Sequence, residues 1–167
     1  MTPAPRAYVG MGSNLGDRAG NLLLGVRGMM KAGLSVLRLS SVYETEPVGV
    51  VDVQPAFLNM AAALGPPLPS PEELLALLLN VEHALGRRRA RPLAARTLDL
   101  DLLLYGDVRT ETATLTLPHP RLHRRRFALA PLAELASNAR HPTLDKTIAE
   151  LLTAAEDDSR VELWTPN

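Results

Sequence analysis

The sequence predicts an α+β protein, a ferredoxin-like split β-α-β sandwich in which an antiparallel sheet carries helices and further helices follow toward the C-terminus. Three observations predict it. Strand-like and helix-like segments alternate in the order β-α-β-β-α-β. The length of 167 residues suits one domain, 1–167, with a substantial core. No internal repeat or low-complexity linker divides the chain.

The first half of the chain contains three predicted strands and one helix. Residues 6–12 predict a strand that ends at a Gly-Ser-Asn turn, which we interpret mainly as a tight strand–helix connection. Asp17 can cap a helix over about 18–32, where apolar residues recur at helical spacing. Residues 34–45 are rich in β-branched side chains and predict one continuous second strand. After a loop bounded by two prolines, residues 56–64 predict the third strand.

The second half begins with a clear helix start. Ser70, Pro71 and Glu73 supply a cap, a proline at the first helical position and a capping-box glutamate, so we expect a helix to about Leu85. Residues 97–105 predict the fourth strand. The remaining predicted elements are a helix over 126–138 that its central proline could divide in two, a short helix over 145–154 and a tail strand at 161–164. Because helices of such a fold cover one sheet face, we expect the other face to be left for a site.

Composition and charge exclude several classes of protein. The formal net charge is zero, so no overall field favours nucleic acid or a membrane surface. Apolar stretches are too short to cross a bilayer, and the first residues lack a secretory signal. The chain has no cysteine, which excludes disulfides and thiolate metal sites. We therefore expect a cytoplasmic protein, a monomer or weak dimer, that binds small molecules rather than nucleic acid or membrane.

The arginines are concentrated in two loops. Five of the 16 arginines lie in 87–96 and four lie in 121–126, whereas the chain has only two lysines. The preference for arginine over lysine can reflect genome composition, but genome composition does not explain why the arginines cluster in two loops. Guanidinium groups match the oxygens of phosphate, so two arginine-dense loops beside an acidic pair suggest a polyphosphate with its metal ion.

The acidic pair lies in the fourth predicted strand. Asp99 and Asp101 are two residues apart, so their side chains point to the same face, while the leucines at 98, 100 and 102 face the helices. Two carboxylates buried together repel unless a cation lies between them, and Mg²⁺ with its oxygen ligands suits such a pair. A solvated strand face, or ion pairs with nearby arginines, remains the alternative interpretation.

The scarce aromatic residues suggest a second half of the site. Phe57 and Phe127 are the only phenylalanines, and both lie beside loops. Asn59 follows Phe57 by two residues, so the ring and the amide would share a face, as a flat heterocycle with polar edges requires. Core packing is the alternative for either ring. His119 lies in the second basic loop and could donate to a phosphate.

Five ordered segments resemble a known enzyme family. The segments YVGMGSNLGDR, SSVYETEPVG, FLNMAAAL, RTLDLDLLLYGD and LPHPRLHRRRFALAPLAEL are similar, in that order, to the 6-hydroxymethyl-7,8-dihydropterin pyrophosphokinases of folate biosynthesis. The resemblance runs from about residue 7 to residue 152. It implies a ferredoxin-like fold, ATP as co-substrate, two Mg²⁺ ions, and transfer of pyrophosphate to the hydroxymethyl group of the pterin with release of AMP.

The resemblance also implies roles for individual residues. Asp99 and Asp101 correspond to the ligands of the two Mg²⁺ ions. Residues in the pterin site would be Thr45, Val48, Phe57, Asn59 and Phe127. Residues that hold ATP and its phosphates would be Glu82, Arg87, Arg89, Arg96, His119 and Arg125. Among these, Arg87 and Arg96 would stabilise charge in the transition state, and we expect in-line attack on the β-phosphorus.

Two other functions remain open at this stage. A non-catalytic ferredoxin-like module could bind RNA through its sheet, although aspartates on a central strand repel phosphate and no aromatic-rich strand is present. A different Mg²⁺-dependent nucleotide enzyme could share the same scaffold.

Overall fold

The structure is a computed structural model that describes residues 6–49, 53–86 and 95–166. Its strands and helices follow the segments that the sequence predicts, with additions after the fourth predicted strand. The elements are β1 (Ala7–Ser13), α1 (Arg18–Lys31), β2 (Ser35–Leu39), β3 (Tyr43–Thr45), β4 (Phe57–Gly65), α2 (Pro71–Ala84), β5 (Asp99–Tyr105), β6 (Thr110–Glu111), β7 (Thr116–Leu117), a 3₁₀ turn (Leu122–Arg124), α3 (Arg126–Ala136), α4 (Ile148–Ala154) and β8 (Val161–Leu163).

The main sheet places β4 at its centre, and β1 lies between β4 and β5. The strands pair antiparallel in the order β5-β1-β4-β3-β8, and β2 pairs with β4 beside β3. Gly12 on β1 is therefore opposite Asn59 on β4 and opposite Asp99 on β5. This register brings the acidic pair and the predicted pterin residues to one end of the sheet, on either side of β1.

Helices α1 and α2 cover one face of the sheet, as expected. Leu98, Leu100 and Leu102 are buried there, in a core shared with apolar residues of both helices. The start of α2 has the predicted capping box, because Ser70 accepts from the Glu73 backbone N–H and the Glu73 carboxylate accepts from the Ser70 N–H. Burial of these leucines directs the alternate positions of β5 to the opposite face.

The predicted strand over 34–45 is wrong as one continuous element. It is two strands, because Ser40 leaves the ladder between them. The Ser40 backbone N–H donates to the Ala61 carbonyl oxygen, and the Ser40 hydroxyl accepts from the Ala61 N–H. The Ser40 hydroxyl thus accepts the Ala61 N–H bond that a backbone carbonyl of a continuous strand would accept. Strand β3 then pairs with β4 in its own register.

The expectation that the second sheet face is left free is also wrong in part. Helix α3 packs across β4 and β1, and its leucines form a second core with residues of β5 and α4. Pro131 lies inside α3 without dividing it, although a proline there removes one backbone hydrogen bond. Among the described residues, the end of this face near Asp99 and Asn59 is the part that α3 and α4 leave available for a site.

Two further features complete the described part of the chain. Strands β6 and β7 form a short hairpin that the sequence did not predict, and the tail strand β8 pairs with β3 at the sheet edge. None of the described helices combines the length and the apolar character that crossing a membrane requires.

Candidate active site

A cavity of about 310 Å³ lies at the end of the second sheet face, between β1, β4, β5 and the start of α3. It brings together most of the residues that the sequence and the family resemblance singled out. Those that line it are Thr45, Val48, Phe57, Asn59, Arg96, Asp99, Asp101, Arg125 and Phe127. The two halves expected for the site, charged and aromatic, therefore share one space.

The acidic pair lies on the cavity side of β5. Asp99 and Asp101 alternate with Leu100, which is buried in the core on the other face. Burial, followed by repulsion from Asp99, raises the pKa of Asp101 from 3.8 to about 6, although Arg125 and Arg96 oppose this rise. The charged form of Asp101 is therefore disfavoured in the folded protein, and Arg125 and Arg96 only partly offset this effect.

Two arginines approach this pair from different segments. Arg96 forms an ion pair with the Oδ2 atom of Asp99 from the residues just before β5. Arg125 lies at the start of α3, with its guanidinium carbon 5.4 Å from the centre of the Phe127 ring. Burial lowers the pKa of Arg125, while Asp101 opposes this effect. Within the described ranges, Arg125 has no carboxylate within 4.0 Å, so its donors can take an anionic ligand.

The opposite wall combines aromatic and amide groups. Asn59 on β4 is buried, and its Nδ2 atom donates to the Thr45 hydroxyl at 2.6 Å. Asn59 lines the cavity, and its amide oxygen is the acceptor that this side chain offers. The close approach of β1 depends on Gly12, where a Cβ atom would lie 2.6 Å from the Asn59 oxygen. Phe57 and Phe127 contribute the aromatic surfaces of this wall.

Two of the expected nucleotide residues lie outside the cavity lining. Glu82 is buried on α2, where its carboxylate accepts from the Leu100 N–H at 2.7 Å and so fixes β5. His119 accepts a hydrogen bond from the Arg121 N–H through Nδ1, which leaves the proton on Nε2. Burial, with Arg125 and Arg121 nearby, lowers the pKa of His119 to about 4, so the ring is neutral near pH 7. The roles of Glu82 and His119 toward ATP stay predictions.

The remaining predicted residues, Arg87 and Arg89, lie outside the described residues. Their assignment to ATP, and that of Arg87 to the transition state, rests on the family resemblance alone.

Arg121 and Arg124 also line the cavity, and sequence reasoning assigned neither to the site. The density of arginines in 121–126 was the available signal, but it could not show which of the four side chains point inward. The 3₁₀ turn at Leu122–Arg124 decides this, because it buries Leu122 and turns the chain between the two arginines. Three arginines in or next to this turn, Arg121, Arg124 and Arg125, thus line the cavity.

The composition of the cavity fits a hydrated divalent cation with a polyphosphate. Within the described segments, no cluster of three or more His, Cys, Asp or Glu side chains could enclose a metal ion. Asp99 and Asp101 instead offer a pair of carboxylates on one face, which suits Mg²⁺, an ion that keeps water and phosphate as its other ligands. The arginines around the pair offer donors for the phosphate oxygens.

Comparison with known proteins agrees with this geometry. Residues 8–137 match the family described as 7,8-dihydro-6-hydroxymethylpterin-pyrophosphokinase (HPPK). A 2-amino-4-hydroxy-6-hydroxymethyldihydropteridine pyrophosphokinase of Bacillus subtilis is 41% identical over 159 residues, which are 95% of this chain and 89% of that protein. The protein of the same name from Haemophilus influenzae is 35% identical over 94% of this chain and 97% of its own length.

Some relatives are longer than this chain. A mitochondrial folate synthesis bifunctional protein of Arabidopsis thaliana is 44% identical over 78% of this chain, but the match covers 23% of that protein. Among solved structures, an HPPK-DHPS chain in complex with substrates has a TM-score of 0.70 at 13% identity, over 91% of this chain and 43% of that chain. The structural likeness supports the ferredoxin-like architecture, and the sequence relationships show that the chain belongs to the 7,8-dihydro-6-hydroxymethylpterin-pyrophosphokinase family, the pyrophosphoryl-transferring enzymes of folate biosynthesis.

Proposed function

We propose that this enzyme transfers the β,γ-diphosphate of ATP to the hydroxymethyl oxygen of 6-hydroxymethyl-7,8-dihydropterin by a Mg²⁺-dependent in-line displacement. The observation that carries the proposal is the single cavity in which an acidic pair, several arginines and an aromatic wall with an amide acceptor meet. In the reaction, the hydroxymethyl oxygen bonds to the β-phosphorus, and the bond from that phosphorus to the α,β-bridging oxygen breaks. AMP leaves with that oxygen, and the hydroxyl proton is released.

Asp99 and Asp101 would hold the Mg²⁺ ions, with two ions expected. Bound there, Mg²⁺ would neutralise the triphosphate and make the β-phosphorus more electrophilic. The raised pKa of Asp101 supports this assignment, because a cation would relieve the repulsion that Asp99 imposes on it.

Arg96 and Arg125 would bind the phosphate oxygens beside the acidic pair. Phosphoryl transfer needs little covalent chemistry from the protein, so fixed positive charges and accurate placement supply most of the catalysis. Arg96 is held in place by Asp99, and Arg125 rests against the Phe127 ring. Arg96, with Arg87, is proposed to stabilise the charge that develops as AMP departs.

The aromatic wall would bind the pterin. Phe57 and Phe127 would contact the two faces of the ring, while the Asn59 oxygen would accept from its edge. Thr45 would hold the amide in place through its hydrogen bond with Asn59 Nδ2. The backbone near Thr45 and Val48 would supply the remaining polar contacts. This arrangement would place the hydroxymethyl group toward the β5 carboxylates.

The direct test is an assay for AMP with purified protein, ATP, Mg²⁺ and 6-hydroxymethyl-7,8-dihydropterin. We expect AMP to form only when the pterin is present, and EDTA to abolish it. Asp99→Ala should remove turnover, whereas Asp107→Ala is a matched control, since Asp107 is exposed in the turn after the same strand. Hydrolysis of ATP without pterin would instead favour a different Mg²⁺-dependent enzyme, and no turnover of either substrate would favour a binding module.

A further inference from the structure

Asn14 belongs to the turn after β1 that the sequence suggested was a simple strand–helix connection. The residue is 1% exposed, and it does not line the cavity. The turn itself is fixed from α1, because the Asn21 amide donates to the Leu15 carbonyl at 2.8 Å and to the Ser13 hydroxyl at 3.3 Å. A buried polar side chain in a rigid turn has a fixed direction, so its partners are informative.

On the nucleotide side, Asn14 holds the backbone of Arg96 by two hydrogen bonds. The Arg96 N–H donates to Asn14 Oδ1 at 2.7 Å, and the Asn14 N–H donates to the Arg96 carbonyl at 3.0 Å. These bonds set where the chain enters β5 and therefore where the Arg96 side chain meets Asp99. Because a backbone N–H can only donate, the amide orientation of Asn14 is determined.

On the pterin side, the same amide holds the segment that leads into β4. Asn14 Nδ2 donates to Gln54 Oε1 at 3.1 Å and to the Pro55 carbonyl at 3.2 Å. Phe57, which lines the cavity, follows two residues after Pro55. One amide group therefore contacts both segments that flank the cavity, through its oxygen on one side and its nitrogen on the other. An aspartate would lack the donors, and an alanine would lack both functions.

We propose that Asn14 is a positioning residue that couples binding of the pterin to binding of the nucleotide. The proposal rests on the proposed function, since it assumes that Arg96 serves the phosphates and that Phe57 serves the pterin. A ligand that orders Arg96 also orders Asn14, and through it Gln54 and Pro55. The second ligand then binds to a segment that is already ordered, so its affinity is higher. By linkage, the effect is the same in either order of binding.

The coupling is measured by calorimetry as the ratio of pterin dissociation constants without and with saturating Mg²⁺ and an α,β-methylene ATP analogue. For the wild type we expect a ratio of about five or more. Asn14→Ala should bring it below about two, and Gln54→Ala should bring it to an intermediate value because the Pro55 contact remains. Asn21→Ala is the matched control, since it removes two side-chain hydrogen bonds of the same turn but neither link to the site.

A wild-type ratio near one would contradict the proposal, as would a wild-type ratio that persists in Asn14→Ala. A loss in Asn21→Ala as large as in Asn14→Ala would show that only the stability of the turn matters, which also contradicts it. If Asn14→Ala does not fold, Gln54→Ala decides, and an unchanged ratio in that variant overturns the coupling. Failure of the wild type to form AMP from ATP and the pterin would contradict the proposed function instead, which the equilibrium ratios do not test.

Discussion

Replacing Asp101 with asparagine should make the metal-free protein more stable while it destroys activity. The pKa of Asp101 is raised from 3.8 to about 6, with burial as the larger cause and Asp99 as the next. Below pH 3.8 the group is protonated in both the folded and the unfolded state, so it has no effect on stability. As the pH rises from 3.8 through about 6, the unfolded state ionises more readily than the folded state, so stability is lost over this interval.

The size of this effect follows from the pKa difference. A rise from 3.8 to about 6 corresponds to at most about 3 kcal/mol at pH 7.5. Water in the open cavity screens part of the charge, so we expect Asp101→Asn to gain roughly 1–3 kcal/mol in the free energy of unfolding. Near pH 4 the gain should fall below about 1 kcal/mol, because the folded state then keeps its proton and the unfolded state is only about half ionised.

The assay is urea denaturation in EDTA at pH 7.5 and at pH 4, with wild type, Asp101→Asn and the exposed-site control Asp107→Asn. Turnover with Mg²⁺, ATP and pterin should fall by about 10²-fold or more in Asp101→Asn, because the site loses a metal-binding charge. A variant no more stable than the wild type at pH 7.5, or a gain that is the same at both pH values, would refute the reasoning. A gain in Asp107→Asn of equal size would assign the effect to general charge instead.

Three further predictions concern the aromatic wall of the site and the buried ring of His119. Phe127→Ala should weaken pterin binding by about tenfold and ATP binding by less than about twofold in calorimetry, because the ring faces the pterin; equal losses would count against this assignment. Gly12→Ala should weaken pterin binding, because its Cβ would lie 2.6 Å from the Asn59 oxygen, and unchanged affinity would show that the amide does not contact the pterin. Burial lowers the pKa of His119 from 6.5 to about 4, so the folded state disfavours the protonated ring. As the pH falls from 6.5 to 4, this residue should therefore lower the free energy of unfolding by up to about 3 kcal/mol. The unfolding free energy of His119→Asn should fall less over that interval, and a loss equal to that of the wild type would contradict the buried, neutral ring.

The elements with strong local signals could be predicted from sequence, whereas those that depend on tertiary contacts could not. The capping box fixed the start of α2, and alternation on β5 fixed which way Asp99 points. The break between β2 and β3 depends on the Ser40 hydroxyl finding Ala61 across the sheet, which local composition does not encode. The packing of α3 on the second face likewise depends on which leucines of β5 meet it.

The candidate site shows the same division. Motif residues on strands, such as Asp101 and Asn59, converge in the cavity because the strand period and the register fix their directions. Arg121 and Arg124 could not be separated from the other arginines of the loop, because a 3₁₀ turn sets their directions. The contacts of Asn14 could not be predicted for another reason, since its partners Gln54, Pro55 and Arg96 are 40, 41 and 82 residues away in the chain.

The most direct test of the central claim is a crystal structure with Mg²⁺, an α,β-methylene ATP analogue and 6-hydroxymethyl-7,8-dihydropterin bound together. We expect Mg²⁺ at about 2.1 Å from carboxylate oxygens of Asp99 and Asp101. We also expect the pterin between Phe57 and Phe127, with its hydroxymethyl oxygen facing the β-phosphorus opposite the α,β-bridge. Mg²⁺ bound to the phosphates without contact to either aspartate, or a pterin seated outside the aromatic wall, would contradict the account.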